Sequence, residues 1–176
     1  MPAPLVWLGA AAVSLYASNK LNTAHLRHQQ IVAGMPGQCK RPVVPVNGSI
    51  VTCDIFEVFE HTGIWINGNI YELNGNGLVR CISPSRFLNN RSGEKIYIAC
   101  DRDGNPLVES LAIERTQSQL YSLYDYHVLR QNCHKFVGEM IAGTTQDITS
   151  FSDLNVFLSG HFNTPIDWRL TQVKLP

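Results

Sequence analysis

The sequence predicts an α+β domain, and three observations carry that prediction. Short runs rich in β-branched and aromatic residues (50–59, 61–66 and 70–73) alternate with Asn- and Gly-containing turns, the pattern of a small antiparallel sheet. A later stretch, Asn132 to Gly143, has apolar residues at helical spacing. Hydrophobic residues make up 44% of 176, enough for one packed core. Charges balance at 14 basic and 14 acidic residues, without the basic surplus of a general nucleic-acid binder. No nucleic-acid partner is expected.

The balance hides an asymmetry. Residues 1–53 contain no Asp or Glu and four basic residues, Lys20, Arg27, Lys40 and Arg41. Ahead of these, Met1 to Asn19 carry no charged side chain. As a helix this stretch would reach about 28 Å, the depth of a hydrocarbon core. Trp7 and Tyr16 lie near its ends, where amphipathic rings favour a membrane interface. A hydrophobic N-terminal helix is expected. It reads as a membrane anchor associating through residues 4–18, as a helix packed on the domain or a partner, or as a cleaved signal. As an anchor, its basic flank places the rest of the chain on the cytoplasmic side. Residues 20–33 have helix-compatible composition, Gly34-Met-Pro-Gly37 breaks it, and 37–48, with Pro42, Pro45 and Gly48, reads as a linker.

In the domain, 50–59 reads as one or two strands. Residues 61–66 and 70–73 form a hairpin about a turn at Asn67-Gly68-Asn69, since Asn-Gly takes positive φ cheaply. Residues 78–82 read as a short strand, 83–93 as a polar loop, 95–100 as a strand ending in a turn at 101–104, and 107–130 as mostly helical. The clearest helix starts at Asn132, a good N-cap. Cys133, Phe136, Val137, Met140 and Ile141 share one face, and Gly143 stops it. The tail from 144 contains a weakly helical stretch at 152–158; a cover over the cleft and completion of the core are both open for it.

Five cysteines stand at 39, 53, 81, 100 and 133 with no Cys-x-x-Cys, so neither a zinc ribbon nor a thioredoxin-like site is expected. Most read as small buried hydrophobes. Cys133 differs, because it opens a helix. The positive end of the helix dipole favours thiolate, and the free first-turn N–H groups favour a developing oxyanion. A nucleophilic cysteine also needs a base. His61 opens a strand of the hairpin, and Glu72 or Asn74 on the return strand is placed to orient it. With the turn at 67–69, Ile66 faces Ile70 and Trp65 faces Tyr71, and the His61–Glu72 contact is permitted without being required. His134 projects about 100° round the helix from Cys133 and is the poorer base. The alternative is an inert core cysteine and a strand histidine with its hydrogen bonds satisfied.

Residues Tyr126-His-Val-Leu-Arg-Gln-Asn-Cys-His-Lys-Phe-Val137 resemble the nucleophile motif of the lecithin:retinol acyltransferase-like family: tyrosine, five variable residues, then Asn-Cys-Glu-His-Phe-Val. His61-Thr-Gly-Ile-Trp-Ile-Asn-Gly68 resembles that family's histidine strand. The order, histidine first and cysteine later, is that of its circularly permuted, NlpC-like version of the papain fold. The chain departs in having His134-Lys135 after the cysteine and no second histidine on the return strand. The resemblance implies a catalytic domain at 48–143 between a hydrophobic segment at 1–20 with a basic helix and linker at 21–47, and an extension at 144–176. It implies Cys133 as nucleophile, His61 as base, Glu72 or Asn74 as orienter, and Tyr126 and Asn132 as motif and pocket residues. The reaction would pass through a thioester without metal or organic cofactor. The partner would be an acyl-bearing lipid near a membrane or, alternatively, a peptide or amide; a membrane-tethered module without turnover is a further alternative.

Overall fold

The computed structural model describes residues 21–55, 59–89, 91 and 94–173. The fold is α+β, with helices packed on one mixed sheet. Residues 21–28 form helix α1. The strands are β1 (Val32–Val43), β2 (Ser49–Ile55), β3 (Phe59–Ile66), β4 (Asn69–Leu73), β5 (Val79–Ile82), β6 (Tyr97–Cys100) and β7 (Ile166–Thr171). The further helices are α2 (Pro84–Leu88), α3 (Ser110–Ser118), α4 (Cys133–Ala142) and α5 (Phe151–Phe162). The seven strands lie in the order β1-β7-β6-β2-β3-β4-β5. The sheet is larger than expected and is not purely antiparallel, because β1 runs parallel to β7.

Strict alternation sorts the strand residues into two apolar layers. Ile50, Ile64, Ile66, Leu73 and Ala99 pack with Phe136 and Val137 of α4 and with Leu154 of α5. Val51, Cys53, Trp65, Ile70 and Ile98 face the other way, towards Phe87 of α2. Helix α4 is the helix expected from its spacing, running from the Asn132 cap to Gly143 in the left-handed region at φ 72°.

Several local expectations are corrected. The β3–β4 turn is two residues long, pairing Ile66 with Asn69, Trp65 with Ile70 and Ile64 with Tyr71. Asn67 and Gly68 both take positive φ, 51° and 79°, the primed turn whose twist suits a hairpin. That shifts the expected register by one residue. Residues 37–43 of the expected linker 37–48 belong to β1. Pro36 and Pro42 are tolerated there because β1 is an edge strand, and three register shifts absorb the irregularity. The expected helix at 20–33 ends by residue 28, where Gln30 turns to φ 58°. The loop at 83–93 contains α2, started by the Ser83 cap and Pro84. Within 107–130 only α3 is α-helical. Residues 121–124 instead bond back to β5 and the loop before it, through Tyr121 N–H to Val79 O and Tyr124 N–H to Gly77 O, both within 2.9 Å. The tail completes the core. Strand β7 lies between β1 and β6, and Trp168 is wholly buried.

The expected hydrophobic N-terminal helix at 1–20 lies outside the described residues. Among those described, no helix is long and apolar enough to cross a membrane.

Candidate active site

Cys133 is the first residue of α4. Asn132 caps the helix by accepting the Lys135 N–H through Oδ1 at 2.9 Å. The Asn132 Nδ2 donates to the carbonyls of Val128 and Thr149, at 2.7 and 2.8 Å. One buried amide thus fixes the helix start to the loop before it and to the segment before α5. The N–H groups of Cys133 and His134, in the free first turn, have no intrahelical carbonyl to meet.

Cys133, His61, His134, Glu60, Tyr126 and Asn132 all line one cleft of about 540 Å³. Its other walls come from β1 (Met35), α1 (Asn22, Thr23), the loop before α4 (Val128, Leu129) and the start of α5 (Phe151). The sulfur is nearly covered, with the residue 5% exposed. His61 lines the same cleft and acts on the thiol through its charge and hydrogen bonding.

The corrected hairpin register explains the orienting residue. Continuing the pairing by one step sets Gly63 opposite Glu72, with His61 two residues further along the same face. Glu72 is then the diagonal neighbour of His61, within reach of a long side chain. The His61 Nε2–Glu72 Oε2 distance is 2.6 Å. Gly63 has to be small at this point: a Cβ there would come within 2.8 Å of the Tyr71 carbonyl oxygen. With Nε2 held by Glu72, Nδ1 is the imidazole nitrogen left for sulfur. Asn74, the alternative orienter, turns into its own loop and donates to Asn76 Oδ1 at 2.9 Å.

Glu72 has no exposed surface, so its charge must be matched within the fold. Arg80 Nε donates to Oε1 at 2.7 Å, and Arg91 Nη2 donates to Oε2 at 3.1 Å. Burial pushes this carboxyl up; the His61 hydrogen bond and charge, followed by Arg91 and Arg80, outweigh it and hold it at about 2. For His61, burial favours the neutral ring; the Cys133 charge and hydrogen bond, then Glu72, reverse this and raise it to about 9. Burial pushes the Cys133 thiol up, but the charges and hydrogen bonds of His134 and His61 hold it well below an ordinary thiol. The arrangement favours a thiolate–imidazolium pair.

His134 corrects the sequence expectation. Expected to point away from the sulfur, it lines the same cleft as Cys133, and its charge acts on the thiol. Helical side chains lean towards the N-terminus, so at the first two positions they project past the helix end and their angular separation counts for less. Its Nδ1 lies 3.2 Å from Thr62 Oγ1. Glu60 was also missed. It shares strand parity with Thr62, and that parity was the available signal. Arg80 and Arg91 were missed too. Arg80 lies directly across from Glu72 in the β4–β5 pairing, whereas nothing local marks Arg91. Tyr126 is half-buried and serves both as core packing and as cleft wall. Among the described residues no group of His, Cys, Asp or Glu is arranged to hold a metal ion.

No family model matches the chain, and no curated protein matches it.

Proposed function

We propose that this protein is a cysteine-dependent acyl-transfer enzyme, an acyltransferase or hydrolase working through a thioester, with a permuted papain-like arrangement. The observation that carries the reading is the buried file Glu72–His61–Cys133 opening on a cleft. His61 takes the Cys133 proton and returns it to the leaving group. Glu72 fixes the ring and balances the imidazolium. The thiolate attacks the acyl carbonyl. The first-turn N–H groups of α4 are placed to receive the oxyanion. Asn132 positions that turn.

The cleft walls favour an acyl-bearing lipid substrate taken near a membrane. Met35, Phe59, Tyr126, Val128, Leu129 and Phe151 present apolar surface to the site. Phe59, Val128 and Leu129 are each more than half exposed, so the apolar surface continues out of the cleft. The uncharged segment 1–19 joins the described chain just before Asn22 and Thr23 at this cleft.

The test is capture of the acyl-enzyme. The full chain is incubated in parallel with phospholipid vesicles and with acylated peptides, and intact mass is read. An acyl adduct on Cys133 that forms from vesicles and disappears in His61→Ala supports the reading. An adduct formed from peptides alone moves the substrate to the peptide class. Absence of any adduct, together with equal iodoacetamide labelling of all five cysteines, would overturn the enzyme.

A further inference from the structure

Turns are ordinarily built from polar residues, Gly and Pro, because their side chains face water. The turn between Tyr126 and Asn132 departs from that pattern. His127 and Gln131 close it as a single bridge, with Val128, Leu129 and Arg130 at its tip. Val128 is 66% exposed and Leu129 62%. Both line the cleft, as does Phe59 at the start of β3, which is also more than half exposed. The three rim its mouth. Exposed Leu21 is next in sequence to Asn22, on the α1 side of the same cleft.

The backbone of this turn is largely bonded from within. The His127 N–H donates to the Gln131 carbonyl, and the Arg130 and Gln131 N–H groups donate to the His127 carbonyl, all within 3.0 Å. The Leu129 N–H donates to His127 Nδ1 at 3.2 Å. The Val128 carbonyl accepts from Asn132 Nδ2 at 2.7 Å. A turn that meets its own hydrogen bonds forfeits little when its tip leaves water, and its aliphatic side chains gain by leaving. Being already ordered, it also loses little entropy on docking.

Resting on the acyl-transfer reading above for the fate of the lipid, we propose that the 127–131 turn is a wedge that enters the headgroup–acyl boundary of a phospholipid bilayer and seats the cleft mouth there. Charge complementarity favours this occupant. The turn and α1 carry Arg130 and Arg27 and no acidic residue, which suits a surface of phosphate groups. The sequence ahead of α1 agrees, since residues 1–19 are uncharged and lead into the cleft side of that helix. A lipid surface matches the apolar tip, the basic flank and the uncharged lead together. Seated in this way, the cleft takes an acyl chain along Leu129 and Phe59 without its crossing water. Asn132 ties the wedge to the start of α4, where Cys133 stands.

The test places a tryptophan at the tip of the full chain and mixes it with phosphatidylcholine vesicles containing phosphatidylserine, with and without bromine on the acyl chains. Emission is read against the wild type, whose own tryptophans are Trp7, Trp65 and Trp168. Each variant is first shown to keep the wild-type thermal transition, and Val128→Trp stands in should Leu129→Trp lose it. Leu129→Trp should shift to the blue and be quenched by brominated lipid, and Phe59→Trp should be quenched as well. Leu123→Trp is the control, at a residue 77% exposed and bridged to Leu78 away from the cleft; it should stay unquenched. Adding Val128→Ser/Leu129→Ser should abolish the quenching of Phe59→Trp, even where residues 1–19 keep the chain on the vesicle. Tip tryptophans left in water while the chain sediments with vesicles, equal quenching of Leu123→Trp, or a blue shift that grows with protein concentration without lipid would overturn the wedge; the last would give the surface to a second copy of the chain. None of these readings requires turnover. Insertion without any Cys133 thioester would therefore remove the acyl-transfer reading and leave the wedge, and a thioester formed from vesicles with the tip in water would do the reverse.

Discussion

A cysteine sulfur shut away from water is ordinarily a poor nucleophile, because burial favours the neutral thiol. At Cys133 the charges of two imidazoles and a helix end work against that rule, with Glu72 buried beside His61. Iodoacetamide alkylation of Cys133 should persist at pH values where an ordinary thiol is protonated, and His61→Ala should move the alkylation profile to higher pH. A profile unchanged by that substitution would show that His61 does not govern the sulfur. Glu72 gives a second prediction. Its carboxyl drops from an ordinary 4.5 to about 2 on folding. The folded chain therefore holds this group deprotonated where the unfolded chain protonates it. The corresponding stability is present above pH 4.5 and is lost as pH falls towards 2, by an amount on the order of 3 kcal/mol. Urea midpoints between pH 6 and pH 2 measure it. Glu72→Gln should flatten that acid limb and, by releasing the His61 ring, slow acylation about 100-fold.

At the scale of elements, α4 is fixed from its N-terminus. Asn132 donates as well as accepts, so it does more than an ordinary cap. Asn132→Ala loses the bond to Lys135 N–H and leaves the Val128 and Thr149 carbonyls without that donor. A loss of about 2 kcal/mol is expected in chemical denaturation. Aspartate caps helices as well as asparagine does. At this position, however, Asn132→Asp sets a carboxylate oxygen against two carbonyl oxygens, so it should fail to restore stability. Recovery by aspartate would show that capping alone matters here. The same contrast explains what could be read in advance. Helix α4 was legible because its cap, apolar face and Gly143 stop are all local signals. The hairpin was legible through Asn67-Gly68, although its register was open by one residue until the turn length was known. Strand β1 was hidden, because its prolines and Gly37 argue against a strand and only pairing to β7, more than a hundred residues on, overrides them. Helix α2 was visible only in the Ser83-Pro84 pair. The site followed the same division. Cys133, His61 and Glu72 were legible through position and motif, while His134 needed the direction of side chains at a helix end and Arg91 needed the tertiary fold.

For the molecule as a whole, the sheet joins segments from both ends of the described chain. Strand β7 pairs with β1 on one side and β6 on the other, so residues 32–43 depend on 166–171 for their place in the sheet. Met35 of β1 and Phe151 at the start of α5 are both walls of the cleft, and α5 is held to β7 through Trp168. The Trp168 indole N–H donates to Asn155 Oδ1 at 2.8 Å, with both side chains buried. The groups of the proposed chemistry lie between residues 61 and 133, but the cleft around them is built from elements on either side. Trp168→Phe keeps most of the apolar volume and strands the Asn155 oxygen, which should cost about 1–3 kcal/mol. Ending the chain after Asn163 is a sharper test. It removes β7, leaves β1 without its sheet partner and exposes the apolar surface that Trp168 covered, a loss too large for a domain of ordinary stability. The shortened chain should show no cooperative thermal transition, and its Cys133 should be alkylated at the rate of an ordinary thiol. A cooperative transition with the low-pH reactivity of Cys133 intact would instead mean that residues 48–143 fold and assemble the site without their flanks.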